Sequence, residues 1–177
     1  MPTIDKARAI DATDVLNNFI GDFITGVMVF REYSAHLKAG KLSLEMMVGI
    51  QKMCVSNVIL AFAKFEEFWK HYHDVVPAEH RAASKSILKA IRTRKITEFR
   101  NHVVGHIWNT TERRPLRQSE IMKALEYVTA QDFGAFLDWI NNPKANIYPS
   151  TVVSIVEAVR DSIVAAYSIS PAEVVNR

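Results

Sequence analysis

The sequence predicts a single all-α domain of 177 residues, an up-and-down helical bundle that opens with two long antiparallel helices. Three observations support this fold class. Apolar residues recur at steps of three, four and seven along most of the chain, which is the pattern of amphipathic helices. Six Gly and six Pro are too few for the turns of a β-sandwich or barrel. A lone cysteine, Cys54, forms no internal disulfide, so a hydrophobic core has to hold the fold together.

The N-terminal half of the chain predicts a helical hairpin. Residues 1–12 are expected to form a flexible N-terminus, and Asp11 or Thr13 can cap the first helix. That helix is predicted to end at Gly40, and Ser43 opens a second helix of about thirty residues. A connection of only four residues forces the two helices to run antiparallel.

The aromatic residues of the second helix follow helical spacing, which indicates a core side rather than a base-stacking platform. Phe62 and Phe68 widen this apolar arc. They predict a second buried face, packed against a partner subunit.

Shorter helices complete the predicted bundle. A third helix runs from Glu79 toward Thr93, and a kink separates it from a fourth that continues to Ile107. The polar segment 109–115 contains a proline, which predicts a loop. Three further helices are expected at 119–128, 131–141 and 151–167.

Composition favours a soluble, cytoplasmic protein. The N-terminal residues lack the apolar run of a signal peptide, and no segment reaches eighteen uncharged apolar residues. We therefore expect no membrane partner, and the unpaired cysteine fits a reducing compartment.

Positive charge is concentrated in the middle of the chain. Residues 81–117 carry ten Lys and Arg against two acids, a net charge of +8, whereas the whole chain carries only +3. This segregation indicates a surface that faces a polyanion, and the alternative is a solvated basic helix face. The ten cations are Arg81, Lys85, Lys89, Arg92, Arg94, Lys95, Arg100, Arg113, Arg114 and Arg117.

The motifs of several enzyme classes are missing. The chain has no phosphate-binding loop, no dinucleotide-binding glycine motif, no CxxC pair and no nucleophile elbow, which disfavours nucleotide hydrolases and redox enzymes. What remains is a cluster of basic, amide and imidazole side chains within residues 96–107, at the end of the fourth helix.

This cluster resembles the R-polar-x(3 to 5)-H motif of HEPN domains, small helical bundles of prokaryotic defence, toxin and abortive-infection systems. Arg100, Asn101 and His106 occupy its three places. The order of two long helices, a basic helix and the motif is also that of the family, so the resemblance covers roughly residues 14–107 and the last helix. It implies a metal-independent endoribonuclease that needs no cofactor and acts in a homodimer cleft. An antitoxin or another regulatory protein is a further partner for such domains.

The chemistry of these side chains suits RNA cleavage. The imidazole of His106 can exchange a proton at physiological pH as a general acid or base. The guanidinium of Arg100 can bind phosphate oxygens bidentately and stabilise a crowded transition state, and Asn101 can orient a phosphate or a ribose hydroxyl. Further RNA contacts are expected from Lys95, Arg113, Arg114 and Arg117.

Each of these residues also has a structural interpretation. His106 can be a histidine at the edge of the core, and Arg100 can pair with Glu66 or Glu67 of the second helix. His102 and His106 have the spacing of two metal-binding histidines, yet the cationic surroundings and the missing third ligand predict no metal site. At the level of function the alternatives are a non-catalytic RNA-binding or defence-system interaction protein and a plain helical interaction module.

Overall fold

The computed structural model describes residues 6–105, 108–109 and 112–175, and it confirms the all-α bundle. Four helices precede the motif region: α1 Lys6–Lys38, α2 Leu44–Tyr72, α3 Ala78–Thr93 and α4 Ile96–Phe99. A π-helical turn, Arg100–Val104, continues α4. After it come the strands β1 Trp108–Asn109 and β2 Arg114–Pro115 and the helices α5 Gln118–Thr129, α6 Phe133–Ile140, α7 Val152–Ala166 and α8 Pro171–Val175.

The predicted helical hairpin is confirmed. Gly40 adopts φ +68°, a left-handed conformation that favours glycine, and its N–H donates to Leu37 O at 3.0 Å. The Ser43 hydroxyl accepts a hydrogen bond from the N–H of Met46 at 3.3 Å and caps α2. The 33 residues of α1 span about 50 Å at a rise of 1.5 Å per residue.

The predicted start of the first helix is wrong. Residues 6–12 belong to α1 rather than to a flexible N-terminus, and Ala9 and Ala12 are completely buried. Thr13 does not cap the helix, because it lies inside α1 and its hydroxyl donates to Ala9 O at 2.8 Å. The additional N-terminal turns of α1 are stabilised because α1 packs against both α7 and α8. These contacts cannot be predicted from the local sequence.

Aromatic side chains join α1, α2 and α6 in the core. Phe23 of α1 lies 4.7 Å from Phe62 of α2, ring centroid to ring centroid. Phe62 also stacks on Trp139 of α6 at 5.3 Å, and Phe68 contacts Phe19 at 6.0 Å. Phe62 and Phe68 are therefore buried within this chain and do not form the predicted second face toward a partner subunit.

His80 links three parts of the bundle. Its Nε2 lies 2.7 Å from the hydroxyl of Ser162 in α7, and its Nδ1 lies 3.2 Å from the hydroxyl of Tyr148. The start of α3 is thereby held against α7 and against the connection that precedes α7.

Helix α2 has the length and apolar composition of a membrane-spanning segment. Core helices of soluble bundles have the same properties, and Phe62, Phe65 and Phe68 of its C-terminal half are buried against α1 and α6. Only 33% of its most apolar 18-residue stretch is buried, however, so part of the helix surface is apolar and open.

The tight packing of Gly26 against α2 predicts that alanine substitutions at two glycines of α1 have different effects on stability. A Cβ at Gly26 would lie 2.5 Å from Val58 Cγ2, whereas a Cβ at Gly21 would meet nothing within 4 Å. We expect Gly26→Ala to destabilise the fold by about 1–3 kcal/mol through overpacking. Gly21→Ala is the matched control and should stabilise the exposed helix surface by about 0.5–1 kcal/mol. Urea unfolding measures both, and equal effects of the two substitutions would contradict this packing.

Candidate functional site

The first two motif residues, Arg100 and Asn101, lie on the π-helical turn that follows α4. Arg100 and Asn101 are both exposed, and Arg100 Nη1 donates to Asn101 Oδ1 at 2.9 Å. This bond holds the two side chains together and leaves the amide N–H groups of Asn101 for another acceptor. His106 lies outside the described residues, so its role stays a prediction.

The backbone explains why Arg100 points away from the core. Lys95 adopts φ 53° and separates α3 from α4, which confirms the predicted kink. Ile96 and Phe99 anchor the short α4 in the core. Arg100 follows directly after Phe99, at the position where the chain leaves the buried side.

A glycine permits the π-helical turn. The N–H of Gly105 donates to Arg100 O at 2.8 Å, five residues earlier, and a Cβ at Gly105 would lie 3.3 Å from that same oxygen. A larger residue would press against this carbonyl. π-helical turns occur frequently at functional sites, where they change the direction of a side chain.

Glu66, one of the two expected ion-pair partners of Arg100, contacts Thr97 and Arg92 instead. Glu66 Oε2 accepts a hydrogen bond from Thr97 Oγ1 at 3.0 Å, and Glu66 Oε1 lies 3.8 Å from Arg92 Nε. Glu66 thus joins the end of α3 to the start of α4. Within the part of the chain that the structure describes, neither Glu66 nor Glu67 forms an ion pair with Arg100.

A basic groove lies beside α3. Its volume is about 410 Å³, and it lies between α2 and α3. Lys85, Lys89 and Arg92 are four and three residues apart, which places them on one face of α3. The half-buried ring of Trp69 and the side chain of Leu88 form apolar parts of the same groove.

Two other cations of the basic segment hold the fold together. Arg81 Nε donates to Val76 O at 2.9 Å. Arg94 lies over the ring of Trp139 at 5.1 Å and donates to Val128 O at 2.9 Å. Burial lowers the pKa of the Arg94 guanidinium from its ordinary value. The basic segment is therefore partly structural and partly a charged surface.

The segment 109–115 is not a simple loop as predicted. β1 and β2 pair antiparallel, with Trp108 opposite Pro115 and Asn109 opposite Arg114. Arg114 donates to both oxygens of Glu120, at 2.9 and 3.0 Å, and also contacts Glu112. These bonds raise the pKa of Arg114 above its usual range.

The four predicted RNA-binding cations therefore differ in their surroundings. Arg113 and Arg117 are exposed, and no carboxylate among residues 6–105, 108–109 and 112–175 forms an ion pair with either side chain. Arg114 is held by two carboxylates. Lys95 lies 3.5 Å from Glu98 and 5.4 Å from the ring centre of Tyr127. RNA binding by all four cations stays a prediction. Arg113 and Arg117 are the better candidates for RNA contacts, because they are exposed and form no ion pair with a described carboxylate.

A second cavity of about 320 Å³ lies beside the π-helical turn, between it and α5. Phe99 and Val103 contribute apolar surface to it, and His102 lies on its exposed rim. The relative position of His102 and His106, which have the spacing of two metal-binding histidines, is not described, since His106 lies outside the described residues. No cluster of three His, Cys, Asp or Glu side chains suited to a metal occurs in the described part of the chain.

Comparison with known proteins supports the fold. No protein-family model and no curated protein sequence matches this chain. A solved structure from the mobile metagenome of V. paracholerae, the integron cassette protein Vpc_cass2, is similar with a TM-score of 0.75 and 22% sequence identity. The match covers 91% of this chain and 98% of that one. At this identity the similarity concerns the fold alone.

The Arg114–Glu120 pair predicts a pH-dependent loss of stability. Hydrogen bonds from Arg114 and from the N–H of Arg117 lower the pKa of Glu120 from 4.5 to about 2. A lowered folded-state pKa adds stability above pH 4.5, and this contribution is lost as the pH falls from 4.5 toward 2. We therefore expect the wild type to lose more thermal stability over this range than Glu120→Gln does.

The control is Glu126→Gln on the same helix, because the Glu126 carboxylate is exposed and forms no ion pair with a described residue. The melting temperatures of wild type, Glu120→Gln and Glu126→Gln are measured at several pH values between about 5 and 2. The same pH dependence in wild type and Glu120→Gln would show that the pair contributes nothing.

Proposed function

We propose that this protein is a metal-independent endoribonuclease of the HEPN type that acts in the cytoplasm as a homodimer. The observation that carries the proposal is the exposed Arg100–Asn101 pair, bonded at 2.9 Å on a π-helical turn, without a carboxylate partner among the described residues. A guanidinium in this state is ready to bind a phosphate.

The basic groove supports RNA as the polyanion. Glu66 contacts Arg92 at the end of the groove and Thr97 at the start of α4. Thr97 and Arg100 are three residues apart on one helical segment, so their Cβ atoms are about 5–6 Å apart. Glu66 thus links the end of the basic surface of α3 to the segment that carries Arg100, and in this proposal a bound strand extends from the groove to Arg100.

The groove also fits a single strand better than a duplex. Trp69 offers an aromatic surface beside Lys85 and Lys89. Cationic grooves with aromatic rings are typical of proteins that bind single-stranded nucleic acids, because every base can stack on a ring.

The proposed reaction needs no metal. One imidazole, that of His106, takes the proton of a ribose 2′-hydroxyl, and the 2′-oxygen forms a bond to the adjacent phosphorus. The bond from phosphorus to the 5′-oxygen breaks, and this oxygen receives a proton from the His106 of the second copy. Arg100 stabilises the additional charge of the transition state, and Asn101 orients the phosphate. The products carry 2′,3′-cyclic phosphate and 5′-hydroxyl ends.

The decisive experiment is cleavage of single-stranded RNA in the presence of EDTA. We expect wild type to cleave, and we expect His106→Ala and Arg100→Ala each to reduce the rate about 10²-fold or more, since positioned proton transfer contributes roughly 10²–10⁴. His102→Ala is the control, because it removes a neighbouring imidazole that has no place in the motif.

Two outcomes would contradict the proposal. Cleavage by His106→Ala at the wild-type rate would exclude His106 as the acid or base. Binding of RNA without cleavage would indicate the alternative function, a non-catalytic RNA-binding protein.

The groove makes a separate prediction for RNA affinity. Lys85→Glu/Lys89→Glu should weaken binding and reduce the slope of log affinity against log salt by about 1.4, because each phosphate contact to a single strand contributes about 0.7. Lys38→Glu/Lys41→Glu changes the net charge equally at the exposed tip of the hairpin and should leave the slope nearly unchanged. Fluorescence anisotropy between 50 and roughly 200 mM salt gives both slopes. Equal losses of RNA affinity in the two double variants would show that affinity depends on the net charge of the protein and not on the groove.

A further inference from the structure

The cavity between the π-helical turn and α5 has no role in the reaction proposed above. Its volume is about 320 Å³, and the apolar side chains of Phe99, Val103 and Ala124 form part of its wall. Sites for small molecules measure roughly 300–1,000 Å³ and are lined mostly by apolar and aromatic side chains with a few polar groups. This cavity lies at the lower end of that range, so it has room for one small group.

Tyr127 brings an aromatic ring to the same cavity. The residue is 55% exposed, and the ammonium of Lys95 lies 5.4 Å from the ring centre. Every nucleobase has a flat face that stacks on an aromatic ring, and binding sites for single strands use this contact. An exposed ring beside an apolar wall is therefore a surface on which a base can stack.

The charged side chains of the lining differ in whether they already have partners. Glu98 lies 3.5 Å from Lys95, and Glu120 accepts hydrogen bonds from Arg114 at 2.9 and 3.0 Å. Lys123 also lines the cavity and is exposed, and it forms no ion pair with a carboxylate in the described part of the chain. Its ammonium is therefore available to an anionic group such as a phosphate.

The cavity adjoins both the motif and the basic groove. Phe99 lines the cavity, and the next residue is the exposed Arg100, with Cα atoms about 3.8 Å apart. Thr93 lines the groove and Lys95 lines the cavity, and two residues of chain span at most about 7 Å. The groove, the cavity and Arg100 are thus neighbours along the single segment 93–100.

We propose that this cavity binds one base of the RNA strand, beside the phosphate that Arg100 holds. The base stacks on Tyr127 against the wall of Phe99 and Val103, and Lys123 contacts a phosphate of the same strand. The inference rests on the proposed function, because the occupant is a nucleotide of its substrate, and it adds a base-binding subsite to the site. A free nucleotide carries the same base and phosphate, so the experiment includes both sources.

A short single strand with 2′-O-methyl riboses tests the cavity, because the methyl group removes the attacking hydroxyl and prevents cleavage. Its affinity is measured by fluorescence anisotropy at constant salt. We expect Tyr127→Ala to weaken binding about 5- to 150-fold, since the stacking of one base on an aromatic ring contributes this much. A strand of the same length without bases should bind to wild type and to Tyr127→Ala equally.

Further variants separate the base contact from the phosphate contact. Tyr127→Phe keeps the ring and should bind like wild type. Ala124→Leu fills the cavity without removing the ring and should weaken binding of the normal strand about fivefold or more, because the base loses its place beside the ring. Lys123→Ala should weaken binding of both strands by the same factor, because it contacts phosphate.

Tyr33→Ala is the matched control, because Tyr33 is 37% exposed and lies on α1, outside the cavity. It should leave the affinity for both strands unchanged. Circular dichroism verifies that each variant is folded.

Several results would overturn the subsite. Equal affinity of wild type and Tyr127→Ala for the normal strand would do so, and the roles of Arg100 and His106 would still be judged by their own variants. The same loss with the strand that lacks bases would also contradict it. Adenosine 5′-monophosphate tests the other source: binding that depends on Tyr127, without any effect of Tyr127 on the strand, would assign the cavity to a free nucleotide.

The failure of the proposed function has a different signature. If wild type does not cleave ordinary RNA but its affinity for the methylated strand depends on Tyr127, the subsite stands and the protein is an RNA-binding protein without nuclease activity.

Discussion

The bundle depends on the close packing of α1 against α2. Gly26 allows the backbone of α1 to approach Val58, and the rings of Phe19 and Phe23 reach the aromatic residues of α2 because of this short distance. The remaining helices are added around this pair: α7 and α8 pack on α1, and α6 covers the aromatic half of α2. Buried apolar area and close packing of this kind are the main source of stability in a chain without disulfides.

The same packing positions the candidate site. Helix α4 is only four residues long, so it is held by its neighbours rather than by its own hydrogen bonds. Ile96 and Phe99 insert into the core, and Thr97 bonds to Glu66 of α2. The exposure of Arg100 follows from these three attachments. The proposed activity therefore rests on a short segment whose direction is set by α2.

Tertiary contacts also divide the basic segment into two kinds of cation. Arg94 packs on Trp139, and Arg114 is held by Glu112 and Glu120. Such residues contribute to the net charge without forming part of a binding surface. Lys85 and Lys89 line an open groove instead, and they are the cations on which RNA affinity is proposed to depend. A charge count along the sequence cannot separate the two groups, because it does not show which cations contact carboxylates, aromatic rings or backbone oxygens.

The sequence by itself determined the helical fold class, the hairpin of α1 and α2, the end of α1 near Gly40, the start of α2 at Ser43 and the break before α4. These features depend on periodicity, caps and backbone preferences, which act over a few residues. Only the tertiary structure decided that α1 begins before Asp11, that Phe62 and Phe68 are buried within the chain, and that Trp108–Asn109 pairs with Arg114–Pro115. It also decided that Glu66 binds Thr97 and Arg92 instead of Arg100. The start of α1, the burial of Phe62 and Phe68 and the bonds of Glu66 depend on contacts between residues far apart in sequence, which no local pattern shows. The strand pair joins residues close in sequence, and the proline and polar residues of this segment had predicted a loop instead.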